Sequence, residues 1–344
     1  MEKIKKIKYL LKKKLIDGYL IPKNDEFFGE YVAEDKDRLN FISNFSGSFG
    51  FSLILRRKNY LFVDGRYTVQ ALKQSGKSFN VITFPKKMPK DVLKYKHLII
   101  GFDPKLFTKN TLENFFGKTN CKFEPLNSNL IDEIWKREKK VNTSKFYKMP
   151  DYSTGTSYKF KINKLVQVLK KKRADFQLIT ASENSAWLFN IRGADTKYSP
   201  LPYSHILIDK NKNINFFCDL DKISSSLKKY FDKIKFIEIK QLSNVLTKIK
   251  NKKFIIDKNT CSYYFEKIIS KNNEIISFQD PIYNFKAIKN KIELKNIKKA
   301  HIHDGVALTK YLFWLKKNFN KKRITEISGS EKLYQCRKKN RKFK

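Results

Sequence analysis

Residues 286–315 read KAIKNKIELKNIKKAHIHDGVALTKYLFWL. Ile297, Ala300, His301, Leu308, Tyr311, Leu312 and Leu315 recur at three- and four-residue spacing, the repeat that lines one face of a helix. The spacing predicts one long amphipathic helix over the whole stretch, with Gly305 inside it at a cost of about 1 kcal/mol relative to alanine. His301-Ile302-His303-Asp304 does not read as a metal site. Side chains two apart on a helix are turned by about 200°, so the two imidazoles cannot share an ion as an i, i+4 pair could.

Ahead of this helix, strand-like and helical runs alternate. Residues 51–55 (FSLIL) and 60–64 (YLFVD) flank the polar turn Arg56-Arg57-Lys58-Asn59 and read as a hairpin. Further strands are expected at 18–21, 81–84 and 97–102, and helices near 4–16, 67–75, 109–117 and 129–137. The stretch 138–154 is polar, carries Pro150 and lacks periodicity, which marks a domain boundary. Beyond it the first half repeats. Phe41-Ile42-Ser43-Asn44-Phe45-Ser46-Gly47 aligns with Trp187-Leu188-Phe189-Asn190-Ile191-Arg192-Gly193, with Asn and Gly at the same offset. Each copy follows a helix and a strand (158–171 and 175–180 in the second), and each leads into a hairpin ending in Asp64 or Asp219. Strands at 234–238, 253–257 and 274–278, with helices at 242–250 and 260–270, complete the second copy. The reading is α/β: two copies of a mixed sheet with flanking helices, at 1–140 and 155–285, and a helical segment at 286–344.

The 344 residues carry a formal charge of +41, which invites a nucleic-acid reading. Only ten of the 74 basic residues are Arg, however, and the Lys residues are spread along the chain. Phosphate and base readers favour the bidentate fork of Arg, so no specific nucleic-acid partner is expected. No apolar run reaches the eighteen or so residues of a membrane span, so no membrane partner is expected either. The basic N-terminus has no signal-peptide core, and its Ile4, Ile7, Leu10, Leu11 and Leu15 mark a helical face. Cys121, Cys218, Cys261 and Cys336 are scattered, with no Cys-x-x-Cys pair, so a reducing, cytoplasmic setting is the simplest.

The pattern Lys-Ala-x-Lys-Asn … Glu … Ala-His-x-x-Asp-Gly-x-Ala-Leu in 286–308 resembles the helix that opens the catalytic domain of the Xaa-Pro aminopeptidases, the creatinase-like "pita-bread" metallopeptidases. Thr325-Glu326-Ile327-Ser328 with Glu331, Lys332 and Leu333 resembles that domain's second helix. Asn44–Gly50 (NFSGSFG), Asp64-Gly65-Arg66-Tyr67, Gly101-Phe102-Asp103-Pro104, Ile131–Trp135 and Ala186–Asp195 resemble family landmarks, in family order. The resemblance implies two creatinase-type N-terminal domains followed by the first helices of a truncated pita-bread domain. It implies removal of an N-terminal residue preceding proline, with two Mn ions and proline-containing peptide substrates in the intact enzyme, and admits a homo-oligomer. The family's metal ligands lie further downstream and none maps onto this chain, so no catalytic or metal residue is assigned and the chain is expected to be inactive alone. A noncatalytic interaction or dimerisation module is the alternative. A basic tail, 337–344, stands where the family continues into an apolar strand, so a premature stop, a frameshift or an incomplete gene sequence is expected.

One residue is carried over as functional. Arg66 stands where a buried-looking strand turns into a helix, and the matching family arginine contacts substrate. A planar guanidinium suits a backbone carbonyl or carboxylate. Bracing the turn through Asp64 is the equal alternative. Arg192 and Asp195 read as a structural turn or ion pair, and His97 and His205 as structural. Gly47-Ser48-Phe49-Gly50 reads as a turn into a sheet, since it precedes a hairpin and not the helix N-terminus a phosphate loop needs.

Overall fold

The expected hairpin lies in the first of two six-stranded sheets. The computed structural model describes residues 2–94, 97–137, 142–321, 323–340 and 343. The first sheet comprises β1 (Gly18–Pro22), β2 (Gly50–Leu55), β3 (Asn59–Asp64), β4 (Asn80–Phe84), β5 (Ile99–Phe102) and β6 (Lys122–Pro125), in the order β4-β3-β2-β1-β5-β6. A short strand β7 (Tyr147–Lys148) follows, then β8 (Phe176–Ile179), β9 (Ile191–Arg192), β10 (His205–Asp209), β11 (Ile214–Cys218), β12 (Ile234–Glu238), β13 (Lys253–Ile256) and β14 (Glu274–Ser277). The second sheet runs β12-β11-β10-β8-β13-β14. In both sheets three neighbouring strands, β3-β2-β1 and β11-β10-β8, are antiparallel and the remaining pairs are parallel, so order and direction repeat strand for strand.

The repeated sequence signals have physical causes. Asn44 ends the helix Arg38–Ser43 and Asn190 ends Ser182–Phe189, both in the left-handed region at φ 60° and 54°. Asn tolerates that conformation better than most residues, which accounts for its place in both copies. Asp64 and Asp219 each accept from the backbone two residues on, capping a short 3-10 turn. Both faces of the first sheet are covered: Leu11, Tyr19, Ile54 and Val63 pack on one side, Leu53, Phe62, Ile100 and Phe102 on the other. A parallel-containing sheet buried on both faces calls for this continuous apolar content in its strands.

Residues 1–148 and 158–285 form one unit, and the two sheet domains meet within it. Phe27 stacks on Tyr203 at 4.1 Å and on His205 at 5.1 Å. Tyr203 donates its hydroxyl to buried Asp25 at 3.1 Å, and Lys36 lies over both aromatic rings while binding Glu26 at 3.0 Å. Elsewhere along the junction the backbone amides of Tyr263 and Tyr264 donate to the carbonyls of Phe107 and Pro104. Arg38, almost fully buried, binds Asp132 through Nε and Nη2 at 2.8 and 2.9 Å and Glu26 at 2.8 Å. Burial raises the Glu26 carboxyl, but Lys36 and Arg38 outweigh it and hold the group down at about 2.

Several expectations are corrected. The segment 286–315 is not one helix: a helix at Ile282–Ala287 ends, and a second runs Lys291–Asn318. Asn290 starts it, accepting from Glu293 N while Glu293 caps Asn290 N. Its buried residue is Ala307, whereas Ile297, Leu308 and Leu312 are 39%, 40% and 52% exposed. The packed side is set by the helix Glu326–Lys338: Tyr311 lies against Gly329, and Asp304 pairs with Arg337 at 2.6 Å. The stretch 138–154 is not uniformly irregular. Residues 138–141 lie outside the described residues, but β7 pairs with β9 and Asp151–Thr154 forms a helical turn. That turn belongs to the second unit, residues 149–157 with 286–344. There Asn290 donates to Thr154 O and Asn296 to Tyr152 O. Gly155, at φ +63°, leaves room for Asn290 and Ile292, which a Cβ would meet at 2.6 Å. The helix expected at 129–137 is only Leu130–Ile134, and His97 lies outside β5, exposed. The sequence reading also passed over the helices Arg38–Ser43 and Pro89–Leu93 and strand β6.

Two outcomes are expected. A chain ending at Phe285 keeps a cooperative urea transition and native far-UV circular dichroism; loss of the transition would place 286–344 in the sheet domains' own core. His205 titrates far below its ordinary 6.5, at about 4, because burial opposes its charge. The unfolded chain therefore binds this proton first, and the contribution of neutral His205 is full above about pH 6.5 and lost as pH falls towards 4. His205→Phe should remove about 2 kcal/mol of the stability difference between pH 7.5 and pH 5. Equal pH dependence in both proteins, by urea unfolding, would refute this assignment.

Candidate functional site

β3 carries Phe62 and Val63 into the core and delivers Asp64 to the sheet end, where Gly65–Tyr67 makes a 3-10 turn into the helix Thr68–Ser75. Asp64 accepts from Arg66 N at 2.9 Å, fixing the turn. The Arg66 guanidinium folds back on the same carboxylate, with Nη2 at 2.6 Å and Nε at 3.1 and 3.2 Å. Hydrogen bonding from Arg66 holds the Asp64 carboxyl below the usual carboxylate range. The Arg66 side chain is 69% exposed, and its guanidinium carbon lies 5.0 Å from the centre of the Tyr67 ring.

The sheet brings a second segment to this turn. Tyr67 and Ser48 share a hydroxyl hydrogen bond at 2.7 Å, and Ser46 is tied to Gln70 and Gln74. The NFSGSFG segment and the Asp64–Tyr67 turn, apart in sequence, are thus one surface. Gly47 and Gly50 serve packing here: a Cβ would meet the Phe45 ring at 2.2 Å and Phe62 O at 2.8 Å. The segment leads directly into β2, as a turn into a sheet. Arg66 offers Nη1, which makes no bond among the described residues, to an anionic or carbonyl group.

The other candidates separate. Arg192 donates to Ala186 O and Ile191 O, whereas Asp195 pairs with Lys222 and accepts from Tyr203 N at 2.7 Å. Both are structural, but not as a pair. His205 is buried, with Nδ1–H donating to Thr180 O at 3.2 Å. His301 and His303 are exposed on the helix Lys291–Asn318. Among the described residues no three His, Cys, Asp or Glu side chains gather as a metal site. The chain therefore does not fit a dinuclear metal centre within the described residues, and no metal-assisted step is assigned to it.

One feature escaped the sequence reading. Residues 25–37 hold six acids, Asp25, Glu26, Glu30, Glu34, Asp35 and Asp37, in a strongly basic chain. A recess of about 350 Å³, lined by Tyr31, Glu34, Asp35, Thr196 and Lys197, opens beside them where the two sheet domains meet. The local reversal of charge was the available signal. The partner segment, more than 150 residues away, was not legible.

Comparison with known proteins agrees with the duplicated fold. Residues 3–134 match the Creatinase/Prolidase N-terminal domain, and 137–293 match a second model of the same description. A probable Xaa-Pro aminopeptidase P of Laccaria bicolor is 31% identical, over 96% of this chain and 54% of that protein. Its counterpart in Paracoccidioides lutzii is 31% identical, over 98% and 59%. The crystal structure of X-prolyl aminopeptidase from Caenorhabditis elegans, a cytosolic enzyme with a di-nuclear active site, superposes with a TM-score of 0.91 at 26% identity, over 99% of this chain and 60% of that one. The chain spans little more than half the length of these relatives. No helix among the described residues is long and apolar enough to cross a membrane. With its two creatinase-type domains in tandem, the chain belongs to the Xaa-Pro aminopeptidase P family.

Proposed function

We propose that this chain supplies the substrate-shaping N-terminal part of a metal-dependent Xaa-Pro aminopeptidase that removes an N-terminal residue preceding proline. The superposition on the C. elegans enzyme over nearly the whole chain, but only 60% of that enzyme, carries this reading. In it, 1–140 and 155–285 are the two N-terminal domains and 286–344 the first helices of a pita-bread domain. In the intact enzyme two Mn ions would supply the Lewis-acid chemistry for hydrolysis. This chain, whose described residues hold no donor set, is inactive alone. The setting is cytoplasmic, the partner a short proline-containing peptide, and neither a membrane nor a specific nucleic acid takes part.

Arg66 is proposed as the substrate-binding residue. Asp64 fixes the guanidinium in position and Nη1 remains for a peptide carbonyl or carboxylate. A second reading, a noncatalytic interaction or dimerisation module, is favoured by the helix Lys291–Asn318, on which Ile302, Val306 and Phe313 are 68%, 49% and 69% exposed. An apolar surface of this kind favours association.

The purified chain with added Mn should turn over an Xaa-Pro-Pro peptide no faster than a mock purification; measurable turnover would overturn the inactive reading. Arg66→Ala should leave the urea unfolding midpoint almost unchanged, since an exposed ion pair contributes little. The same change should weaken binding of an Xaa-Pro-Pro peptide, followed by calorimetry. A large loss of stability with unchanged peptide binding would return Arg66 to the role of turn brace.

A further inference from the structure

Asp280 is buried at the start of the helix Ile282–Ala287, the segment that leads the chain out of the second sheet domain. Its Oδ1 accepts from Ile282 N and Gln177 Nε2, each at 3.0 Å, and its Oδ2 accepts from Asn184 Nδ2 at 2.7 Å. Its own N–H donates to Asp257 Oδ2 at 3.0 Å. The carboxyl group thus joins strand β8, the helix Ser182–Phe189 and the exit helix, and the residue's backbone N–H adds the turn after β13. None of these bonds involves a cation. The titratable groups around it are Asp257 after β13, Glu183 on the helix Ser182–Phe189 and Tyr283 on the exit helix, the last two hydrogen-bonded to each other at 2.8 Å. Beside it Gln177 Oε1 is buried with no donor.

The duplicated fold supplies an internal comparison. At the matching place in the first copy stands Asn129, which accepts from Ile131 N at 2.9 Å and donates to Asp103 Oδ2 at 2.9 Å. The first copy caps its last helix with a neutral amide. The second uses a carboxyl among neutral donors, next to an orphaned acceptor.

We propose that Asp280 is a proton-operated clasp on the exit helix. When the carboxyl takes a proton from solvent, its new O–H donates to Gln177 Oε1 after the amide turns over. The bonds from Asn184 and Ile282 persist, and the clasp closes without a buried charge. When the proton leaves, the carboxylate retains three donors but, among the described residues, no bonded cation, and the exit helix opens more readily. Burial, against these hydrogen bonds, lifts the Asp280 carboxyl to about 6. In an opened segment the group returns to its ordinary range, so opening grows as pH rises and acid closes the clasp.

The test is hydrogen exchange by mass spectrometry on the full chain at pH 5 and pH 7.5, corrected for intrinsic exchange rates. Residues 280–285 should be about tenfold better protected at pH 5, the ratio that follows from the shift at Asp280. Residues 59–64, in the first sheet, serve as the reference for global changes. Asp280→Asn copies the amide of the first copy and should abolish the tenfold difference. Asn184→Ala removes a donor to the carboxyl, whose loss costs the ionised form more, and should move the midpoint to higher pH. Equal protection of 280–285 at both pH values in the wild-type chain would overturn the proposal even if neither variant folds. So would a tenfold difference that survives in Asp280→Asn, or one shared equally by residues 59–64.

Discussion

Burial of both faces of each sheet is the constraint on which the rest of the structure depends. Strands such as β2 and β10 are almost wholly inaccessible, so every chain reversal at a sheet end must satisfy its backbone locally. Short acidic side chains do this repeatedly. Asp17 and Asp175 enter β1 and β8, and each accepts from the first residue of the neighbouring parallel strand, Ile99 N and Lys253 N. Asp103 and Asp257, the first residues after β5 and β13, each accept from the backbone two residues on. The two copies share this scaffold of capping aspartates more closely than they share sequence.

Where the copies differ, the difference has a physical consequence. Arg38 and Asn184 occupy equivalent positions six residues before the left-handed Asn44 and Asn190. In the first copy Arg38 reaches charged Asp132 and Glu26. In the second, Asn184 reaches Asp280 without bringing a charge. Removing one member of a buried charged group commonly costs about 3–5 kcal/mol because its partner is left exposed to a low dielectric. The first copy is thus braced by opposite charges and the second by a carboxylate held with neutral donors. This contrast leaves Asp280 without the cationic partner that Asp132 has in Arg38.

The second unit follows different physics. Its two long helices touch through a narrow stripe around Ala307, Tyr311 and Gly329, reinforced by Asp304 with Arg337. Much of their large apolar surface is exposed. The relatives are nearly twice as long in sequence.

The sequence by itself determined the two hairpins, most of the strands and the duplication. These rest on local chemistry: short continuous apolar runs, Asn and Gly at a shared offset, and Asp at the hairpin ends. It determined Arg66 at a strand-end turn for the same reason. Tertiary structure alone decided that Phe27 would stack on Tyr203, that Asp195 would take Lys222 and not Arg192, and that Ser48 would meet Tyr67. It also decided which side of the helix Lys291–Asn318 is covered, because an apolar stripe states a preference for burial without naming a partner. Such pairings depend on where the chain returns after many residues, and no local pattern encodes that distance.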